Sequence, residues 1–517
     1  MDINWRWLFC FCFLVCLFQA QPVLADKRPN ILFLYSDDHA AHAIGAYGGR
    51  LANLNPTPTL DKLAAEGVLL TNAFCTNSIC TPARATVLTG QYSHVNGVTA
   101  FGVLPPAKHA LPKLIGEAGY ETAVIGKWHL KAEPSAFDYY AVLAGQGSYF
   151  NPILRVRGSK PWPDNIIQRT GYNSLHSSDV VRMHTLDWLT KKRDKNKPFF
   201  LMCQFKAPHD NFENAERYDF LFDDIDIPEP ISLRKRGNHG PIDKPLYGTS
   251  VGKRTEWRNM GHHMFVDQTL DNDAYKTESY QRYLKKYLRC VRGVDDNIKR
   301  ILDSLEKAGE LDNTIVIYSS DQGFMLGEHD YIDKRWMYEE SLRIPLIVWY
   351  PKTYKAGHKI DAIINNTDIA PTLLAMAGIE TPEDMQGRSF EPMLKGQATP
   401  KGWRDATYYR YYLHMTHHDN PAHLGIRTKD KKLIFFYGLK LDVKGVSRDA
   451  KPTEPYWEFY DLAKDPKEMD NRINDPAYAE TISKLRKQLK QLREKLGDTD
   501  KDFPEVMRRW EQSAEQR

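Results

Sequence analysis

The sequence lacks the features that define several large classes of protein. Its 517 residues carry 70 lysines and arginines against 66 aspartates and glutamates, a formal net charge of only +4. A nucleic-acid-binding protein would need a basic excess that this chain does not have. After residue 25, no stretch has the run of apolar residues, about 18 or longer, that a membrane span requires. We therefore expect no nucleic-acid partner and no stable insertion in a membrane.

Cysteine is also scarce. Three of the seven cysteines lie within the first 16 residues, and the other four are spread over the rest of the chain. So few cysteines do not form a disulfide scaffold in a chain of this length. The fold must therefore rest on burial and hydrogen bonding, and a single cysteine is free to have a chemical role.

The N-terminus has the pattern of an export signal. Arg6 precedes the apolar run Trp7–Phe18, and residues 23–25 (Val-Leu-Ala) end in a small residue, as a signal peptidase site does. The run is too short to span a bilayer comfortably. We expect residues 1–25 to be a signal peptide and the protein to be exported, either periplasmic or secreted. An uncleaved anchor is the alternative.

Short apolar runs alternate with helical patterns through most of the chain. The alternation is typical of an α/β fold with a mostly parallel sheet flanked by helices. The runs that predict strands are 30–36, 122–125, 199–205, 314–320 and 344–350. Apolar residues that recur with a period of about 3.6 over 277–308 predict a long helix against the sheet, with Gly309 as its C-cap.

This alternation is interrupted twice. Residues 210–275 are polar and rich in Gly, Pro and His, which predicts an insertion of loops. After about residue 400, the runs 433–437 and 457–460 predict short antiparallel strands, and 477–496 predicts an amphipathic helix. We expect a large domain over residues 26–400, which contains the insertion, and a small C-terminal subdomain over 401–517 with an antiparallel sheet and a helix.

Polar residues follow the predicted strands at the end where open parallel sheets bind ligands. Four strands are followed, in chain order, by Asp37 and Asp38, by Lys127 and His129, by Lys206 and His209, and by Asp321 and Gln322. Each feature alone is commonly a turn or a solvated loop. Together they indicate a site, because adjacent carboxylates are best explained by a hard divalent cation between them. The lysines and histidines suit an anionic substrate.

A further motif, Cys80-Thr81-Pro82-Ala83-Arg84, adds a cysteine. Pro82 suits the first turn of a helix, so Cys80 stands at a helix N-terminus, where backbone N–H groups attract anions. Arg84 lies on the same face and can meet an oxyanion. Taken alone, the motif more often marks a structural cysteine. A thiolate phosphatase loop is excluded, because it would need an arginine at position 86, which is Thr.

Three segments of the chain resemble the signatures of the type I, formylglycine-dependent sulfatases. Residues 77–86 are similar to the first signature and 119–129 to the second, and the third block is matched by 321–323, 327–329 and 333–335. The motifs occur in the family's order, and the resemblance runs from about Arg28 to the C-terminal helix. It implies an alkaline-phosphatase-like fold, a catalytic domain within residues 26–400, and the hydrolysis of sulfate esters.

The resemblance also implies two cofactor features. Cys80 would be converted to formylglycine by a separate maturation enzyme. One Ca²⁺ per chain would be held by Asp37, Asp38, Asp321, Gln322 and the modified residue 80. The family more often has Asn or His where Gln322 stands, but a glutamine still offers a carbonyl oxygen.

The catalytic residues that the resemblance implies are Cys80, Arg84, Lys127, His129, His209 and Lys334. The hydrated aldehyde at position 80 would attack sulfur, and Arg84 and the cation would favour its deprotonated form. Lys127 and Lys334 would bind sulfate oxygens. His209, alone or together with Lys334, would give a proton to the leaving alcohol, and His129 would take the proton that lets sulfate leave.

Other functions stay open on the sequence. A formylglycine-dependent phosphodiesterase or phosphonate ester hydrolase shares the Cys80 motif. A non-catalytic carbohydrate-binding relative could keep the fold, although the complete residue set argues against it. A two-metal phosphatase would need a Ser or Thr nucleophile.

The identity of the substrate is less defined. The run 333–338 resembles exported bacterial sulfatases of sulfated glycans, such as N-acetylglucosamine-6-sulfatase and iduronate-sulfatase relatives, so we expect a sulfated carbohydrate. The insertion and the aromatic segment 403–418 could contact it, or the aromatic residues could fill the seam between the subdomains.

Overall fold

The computed structural model describes residues 28–515 except for 159, 168–174, 244–248, 255–258, 417, 442–449 and 502. The predicted signal peptide, residues 1–25, and His417 of the aromatic segment lie outside the described residues. Within the described ranges, no helix has both the length and the apolar character that a membrane span requires.

The strands and helices follow one another through both parts of the chain. The strands are β1 (Asn30–Asp37), β2 (Val68–Leu70), β3 (Ala73–Phe74), β4 (Glu121–Lys127), β5 (Tyr139–Leu143), β6 (Leu154–Val156), β7 (Ile166–Ile167), β8 (Phe199–Pro208), β9 (Thr314–Ser320), β10 (Met325–Leu326), β11 (Ile332–Asp333), β12 (Leu346–Trp349), β13 (His358–Ile360), β14 (Ile364–Asn365), β15 (Ala406–Tyr411), β16 (His423–Thr428), β17 (Lys431–Phe436) and β18 (Tyr456–Asp461). The helices are α1 (Pro58–Glu66), α2 (Cys80–Thr89), α3 (Ser93–Asn96), α4 (Ala110–Glu117), α5 (Ser177–Asp187), α6 (Ile231–Arg234), α7 (Met260–His263), α8 (Asn272–Lys307), α9 (Glu339–Leu342), α10 (Ile369–Met376), α11 (Glu391–Leu394), α12 (Ala479–Leu496) and α13 (Pro504–Glu515).

The central sheet has ten strands in the order β13-β2-β12-β9-β1-β8-β4-β5-β6-β7. Strands β9, β1, β8, β4 and β5 run parallel to one another. Every residue of β1, β8 and β9 is buried, which is why these strands read as continuous apolar runs. The run 344–350 does form a strand, β12, but it lies antiparallel to β9. An apolar run predicts a strand and carries no information about its direction.

The long helix predicted from the apolar period is α8, and it anchors the loop after β1. Its N-cap is Asp271, whose side chain accepts hydrogen bonds from the first turn. The hydroxyl of Tyr287, on its buried face, donates to the carbonyl oxygen of Asp38 at 2.8 Å and accepts from the N–H of Ala40 at 2.9 Å. The helix thereby fixes the backbone at the carboxyl end of β1.

The C-terminal sheet is an antiparallel meander in the order β15-β16-β17-β18, against which α12 packs. The boundary at residue 400 that the sequence predicts falls between α11 and β15. The tyrosines of segment 403–418 alternate between two cores, as side chains on a strand do. Tyr409 and Tyr411 belong to the core of the large domain, and Tyr408 and Tyr412 belong to the C-terminal core. These tyrosines therefore fill the seam between the subdomains.

Candidate active site

The carboxyl ends of four neighbouring parallel strands carry the residues that the sequence singles out. Strand β1 ends at Asp37 and β4 ends at Lys127, while His209 comes directly after β8 and Asp321 directly after β9. The four strands are adjacent in the order β9-β1-β8-β4. Their ends therefore meet at one edge of the sheet, where open α/β folds bind ligands.

The backbone at this edge is unusually strained. A Cβ atom at Gly126 would lie 1.8 Å from the carbonyl oxygen of Gln204 on the next strand, and φ is +107° there, so only glycine fits just before Lys127. Left-handed φ values occur at Asp38 (65°), His129 (55°), Asp333 (106°) and Arg335 (87°). Such conformations are costly in residues with side chains and cluster at functional sites.

Cys80 is the first residue of α2 and is 1% exposed. Its Sγ atom lies 3.2 Å from Nδ1 of His129, which also lies 3.3 Å from Oγ1 of Thr81. Burial raises the pKa of the Cys80 thiol to about 11, although Lys334 opposes this effect. An unmodified Cys80 is therefore a protonated thiol at neutral pH and a poor nucleophile.

Arg84 is buried and bonded within the protein. Its Nη2 and Nε atoms donate to Oδ2 of Asp321 at 2.9 and 3.2 Å, and Nη1 donates to the carbonyl oxygen of Lys127 at 2.8 Å. That this guanidinium also meets an oxyanion, as the motif indicates, stays a prediction. In the structure it holds Asp321 and the end of β4 in fixed positions.

Two buried lysines face the paired aspartates. Lys127 Nζ contacts a carboxylate oxygen of Asp37 and lies 2.5 Å from Oε1 of Gln146. Lys334 Nζ lies 2.5 Å from Oδ2 of Asp38. Two cationic side chains therefore converge on the carboxyl end of β1 from different elements.

The two lysines differ in their proton affinity. Burial lowers the pKa of Lys127, and the neighbouring positive charge of Lys206 lowers it further. Burial also disfavours the charged form of Lys334, but the carboxylates of Asp38 and Asp333 raise its pKa above the ordinary value. Lys334 is therefore a firmly held cation.

His209 approaches the same carboxylate oxygen of Asp38 as Lys334 does. Its Nε2 atom is 3.7 Å from Oδ2 of Asp38, and its Nδ1 atom is 2.5 Å from Oδ1 of Asp210. Burial lowers the pKa of His209 to about 3, and the charge of Lys334 acts in the same direction. The imidazole is therefore neutral unless a negative charge enters the site.

The donor set at this edge fits a hard cation. Single ligand atoms of Asp37, Asp38 and His209 all lie within 4.8 Å of one another. Oδ1 of Asp37 and Oε1 of Gln322 are buried and have no hydrogen-bond partner among the described residues. Burial raises the pKa of Asp38, which a cation would reverse. Asp321 differs from these residues, because both of its carboxylate oxygens accept hydrogen bonds from the protein. Carboxylate and amide oxygens are ligands that Ca²⁺ prefers.

A cavity of about 500 Å³, which we call the catalytic cavity, opens onto these residues. Its lining includes Cys80, His129, His209 and Lys334, together with Phe101, Gln146, Asp210, Asp333, Arg335 and His418. Asp333 contacts Arg335 and lies 3.0 Å from Nδ1 of His418 through its Oδ2 atom.

Gln146, Asp210 and His418 are not predicted individually from the sequence, although Asp210 and His418 belong to the segments 210–275 and 403–418 that are predicted to be able to contact the substrate. Gln146 lies between two glycines with no motif around it, and His418 appeared only as one of several aromatic residues. Asp210 could have been found, because it directly follows His209.

A family model described as Sulfatase matches residues 29–379, well over half of the chain. The chain belongs to the sulfatase family. It is a sulfuric ester hydrolase, and the predicted alkaline-phosphatase-like α/β fold is confirmed. A second model, described as N-sulphoglucosamine sulphohydrolase, C-terminal, matches residues 327–495 of this sulfatase.

Several relatives of this sulfatase are known. It is 38% identical to N-acetylglucosamine-6-O-sulfatase of Bacteroides thetaiotaomicron, over 93% of this chain and 89% of that protein. The structure of BT4656 in complex with its substrate D-glucosamine-2-N,6-O-disulfate is similar with a TM-score of 0.79 and 37% identity, over 92% of this chain and 100% of that chain. Phosphonate monoester hydrolase SpPMH from Silicibacter pomeroyi has a TM-score of 0.68 at 20% identity, over 90% of this chain and 95% of that chain. This last likeness shows the fold alone.

Proposed function

We propose that this sulfatase removes the 6-O-sulfate group of a glucosamine residue in a sulfated glycan, with formylglycine at position 80 and one Ca²⁺. The observation that carries the proposal is the contact of 3.2 Å between Cys80 Sγ and His129 Nδ1 in a cavity also lined by Lys334. The comparisons support the choice of sugar, because a relative is named N-acetylglucosamine-6-O-sulfatase and a similar solved structure is a complex with D-glucosamine-2-N,6-O-disulfate as substrate.

The two groups that the family implies would supply what the chain lacks. Hydrated formylglycine would offer a hydroxyl at position 80 in place of the protonated thiol. Ca²⁺, held by Asp37, Asp38 and Gln322 and with Asp321 close by, would offer positive charge beside that hydroxyl. The buried acceptor atoms of Asp37 and Gln322 that have no hydrogen-bond partner among the described residues support this assignment.

His129 is the base that we assign to residue 80. Its Nδ1 atom is within hydrogen-bonding distance of the side chain at position 80. Burial lowers the pKa of His129 well below its ordinary range, and the charge of Lys127 lowers it further. A neutral imidazole can accept the proton whose removal lets sulfate leave.

Lys127 and Lys334 are the groups that we assign to the sulfate oxygens. Their ammonium groups approach the paired aspartates from β4 and from the loop after β11. An ester sulfate carries negative charge on its oxygens, and positioned cationic side chains in a buried site stabilise that charge strongly. Arg84 supports them indirectly, because it holds Asp321 and the carbonyl group of Lys127.

His209 is the proton donor that we assign to the leaving alcohol. Its pKa of about 3 reflects burial and the charge of Lys334. A bound sulfate ester would offset that charge and raise the pKa, so that the imidazole could be protonated when substrate is present. Asp210 accepts at Nδ1 and would stabilise the imidazolium form. Lys334 is the second candidate for this role.

The wall of the cavity offers contacts for the sugar. Asp333, Arg335 and His418 form one ion-paired cluster that lines the catalytic cavity. The cluster combines hydrogen-bond donors and acceptors, which a ring with several hydroxyl groups requires. We assign these residues to sugar binding.

Maturation and export complete the proposal. Cys80 is 1% exposed in the folded chain, so a formylglycine-generating enzyme would have to reach it before folding is complete. Export as a periplasmic or secreted protein rests on the pattern of the first 25 residues. The division into a catalytic domain and a C-terminal subdomain at residue 400 is part of the same proposal.

Sulfate release from a panel of glucosamine sulfates tests the function. We expect release from the 6-O-sulfated sugar, and much less from its 3-O- and N-sulfated isomers. A bis-aryl phosphate is the control for the phosphodiesterase and phosphonate ester hydrolase alternatives. Faster hydrolysis of the phosphate than of every sulfate ester would contradict the proposal. Binding without hydrolysis would favour a non-catalytic relative.

A further inference from the structure

A second cavity, of about 720 Å³, lies beside the catalytic cavity and is lined largely by the segment 210–275. We call it the insertion cavity. Asp210, Asp333 and His418 belong to the linings of both cavities. A ligand held in the catalytic cavity can therefore extend into the insertion cavity through a shared wall.

The lining of the insertion cavity has an apolar floor and a polar rim. The floor is formed by buried side chains, those of Phe212, Met260, Met264 and Phe324. The rim carries exposed side chains that donate or accept hydrogen bonds, those of Glu213, His262, His263 and Lys286. This combination suits a pyranose ring, which has apolar faces and an edge of hydroxyl groups.

Phe265 stands at the edge of this cavity with its ring in water. It is 89% exposed, and its φ of 53° is rare for a bulky residue. Its N–H donates to the carbonyl oxygen of His262 at 3.2 Å, and its carbonyl oxygen accepts from Nη1 of Arg282 at 3.0 Å. An aromatic ring held in solvent by a strained, hydrogen-bonded backbone indicates a role in binding.

The segment that carries Phe265 is anchored to the start of α8. The Oδ1 atom of Asn259 accepts hydrogen bonds from the N–H of His262 at 3.0 Å and from the hydroxyl of Tyr275 at 2.9 Å. A Cβ atom at Gly261 would lie 2.2 Å from that hydroxyl, so glycine permits the close contact. The aromatic edge is therefore formed before any ligand binds, which lowers the entropic cost of binding.

We propose that the insertion cavity binds the sugar residue linked to the sulfated one, with a face of its ring stacked on Phe265. The proposal rests on the proposed function, because the sulfated sugar must occupy the catalytic cavity first. An aromatic ring beside the bound sugar gains apolar contact with the next ring at little cost in side-chain entropy. The sulfatase should therefore prefer an oligosaccharide to a monosaccharide.

The test compares two substrates that share the same sulfated sugar. One is glucosamine 6-sulfate. The other is a disaccharide in which an unsulfated sugar is linked to the anomeric carbon of glucosamine 6-sulfate. We expect kcat/KM to be about tenfold higher on the disaccharide, as one stacked ring would provide. Phe265→Ala should lower kcat/KM on the disaccharide about two- to tenfold. The same substitution should leave kcat/KM on the monosaccharide unchanged. Phe265→Trp should keep the preference.

The matched control is Phe220→Ala, because Phe220 is 70% exposed and belongs to neither lining. This substitution should leave kcat/KM unchanged on both substrates. Equal kcat/KM on both substrates, or an equal loss on both in Phe265→Ala, would overturn the inference and leave the proposed function intact. No release from either substrate by enzyme with an aldehyde at residue 80 would overturn the proposed function, and this inference with it.

Discussion

Cys80 and His129 lie 49 residues apart in the sequence, yet Sγ of the first is 3.2 Å from Nδ1 of the second. The contact joins the start of α2 to the loop after β4. It brings a buried residue that the family modifies into reach of an imidazole whose pKa burial keeps low. The fold thus brings together the proposed nucleophile and the proposed base.

Loss of the group at position 80 should abolish activity. Cys80→Ala should lower kcat by at least about a thousandfold, because it removes the side chain that the proposed mechanism converts into the attacking hydroxyl. Cys203→Ala is the control, since Cys203 is equally buried in β8 and lies outside the catalytic cavity. Mass spectrometry of the tryptic peptide that contains residue 80 should show an aldehyde in active wild-type enzyme. Fully active protein with an unmodified thiol would refute the mechanism.

Metal content should depend on the paired aspartates. Metal analysis of the purified sulfatase should find about one hard divalent cation per chain, as a single oxygen-ligand site would hold. A chelator should remove activity and Ca²⁺ should restore it. Asp38→Asn should lower the bound metal, while Asp223→Asn, at an exposed position, should not. Two zinc ions per chain would point to a two-metal phosphatase instead.

His209 and Lys334 should respond differently to the leaving group. A proton donor matters less when the leaving group is a weak base. His209→Ala should therefore lose far more kcat/KM on a sugar sulfate than on nitrophenyl sulfate. Lys334→Ala should lower kcat/KM by a similar factor on both substrates, because both need their sulfate oxygens stabilised by positive charge. If His209→Ala is equally impaired on both, Lys334 becomes the candidate donor.

Residues that line the catalytic cavity should contribute to recognition of the sugar. His418→Ala should lower kcat/KM on a 6-O-sulfated glucosamine about tenfold, because it removes a hydrogen bond to a charged cluster, and should leave nitrophenyl sulfate nearly unchanged. His414→Ala is the control, since Nε2 of His414 donates to the carbonyl oxygen of Lys451 at 2.9 Å and the residue does not line the cavity. A parallel loss on both substrates would assign His418 to folding.

The C-terminal subdomain should depend on a buried ion-pair network. Arg410 Nη1 and Nη2 lie 2.5 and 2.6 Å from carboxylate oxygens of Asp498 and Asp500. Arg410→Ala should lower the free energy of unfolding by about 3 kcal/mol, since two buried carboxylates lose a cationic partner, although Asp500 keeps its contact with Arg493 and Asp498 keeps the hydroxyl of Tyr408. Lys484→Ala breaks an exposed pair with Glu480 and should cost about 0.5 kcal/mol or less. Thermal denaturation measures the loss of stability in both variants. Equal decreases in melting temperature would contradict the importance of the buried ion-pair network.

The sequence by itself determined the local elements and the residue types of the site. Continuous apolar runs became β1, β4, β8 and β9, because strands buried on both faces need apolar side chains throughout. Pro82 suits the first turn of α2, and Cys80 is the first residue of that helix. These features are local in the chain, and local patterns are what a sequence carries most directly.

Only the tertiary structure decided which of these residues meet. Lys334 and Asp38 are 296 residues apart, and Arg84 and Asp321 are 237 apart. No local pattern indicated that Arg84 binds a carboxylate or that β12 runs antiparallel, and the prediction that segment 403–418 could contact the substrate did not single out His418. Those outcomes depend on strand order and on the packing of the two subdomains, since side chains remote in sequence are brought together only when the sheet and the seam assemble.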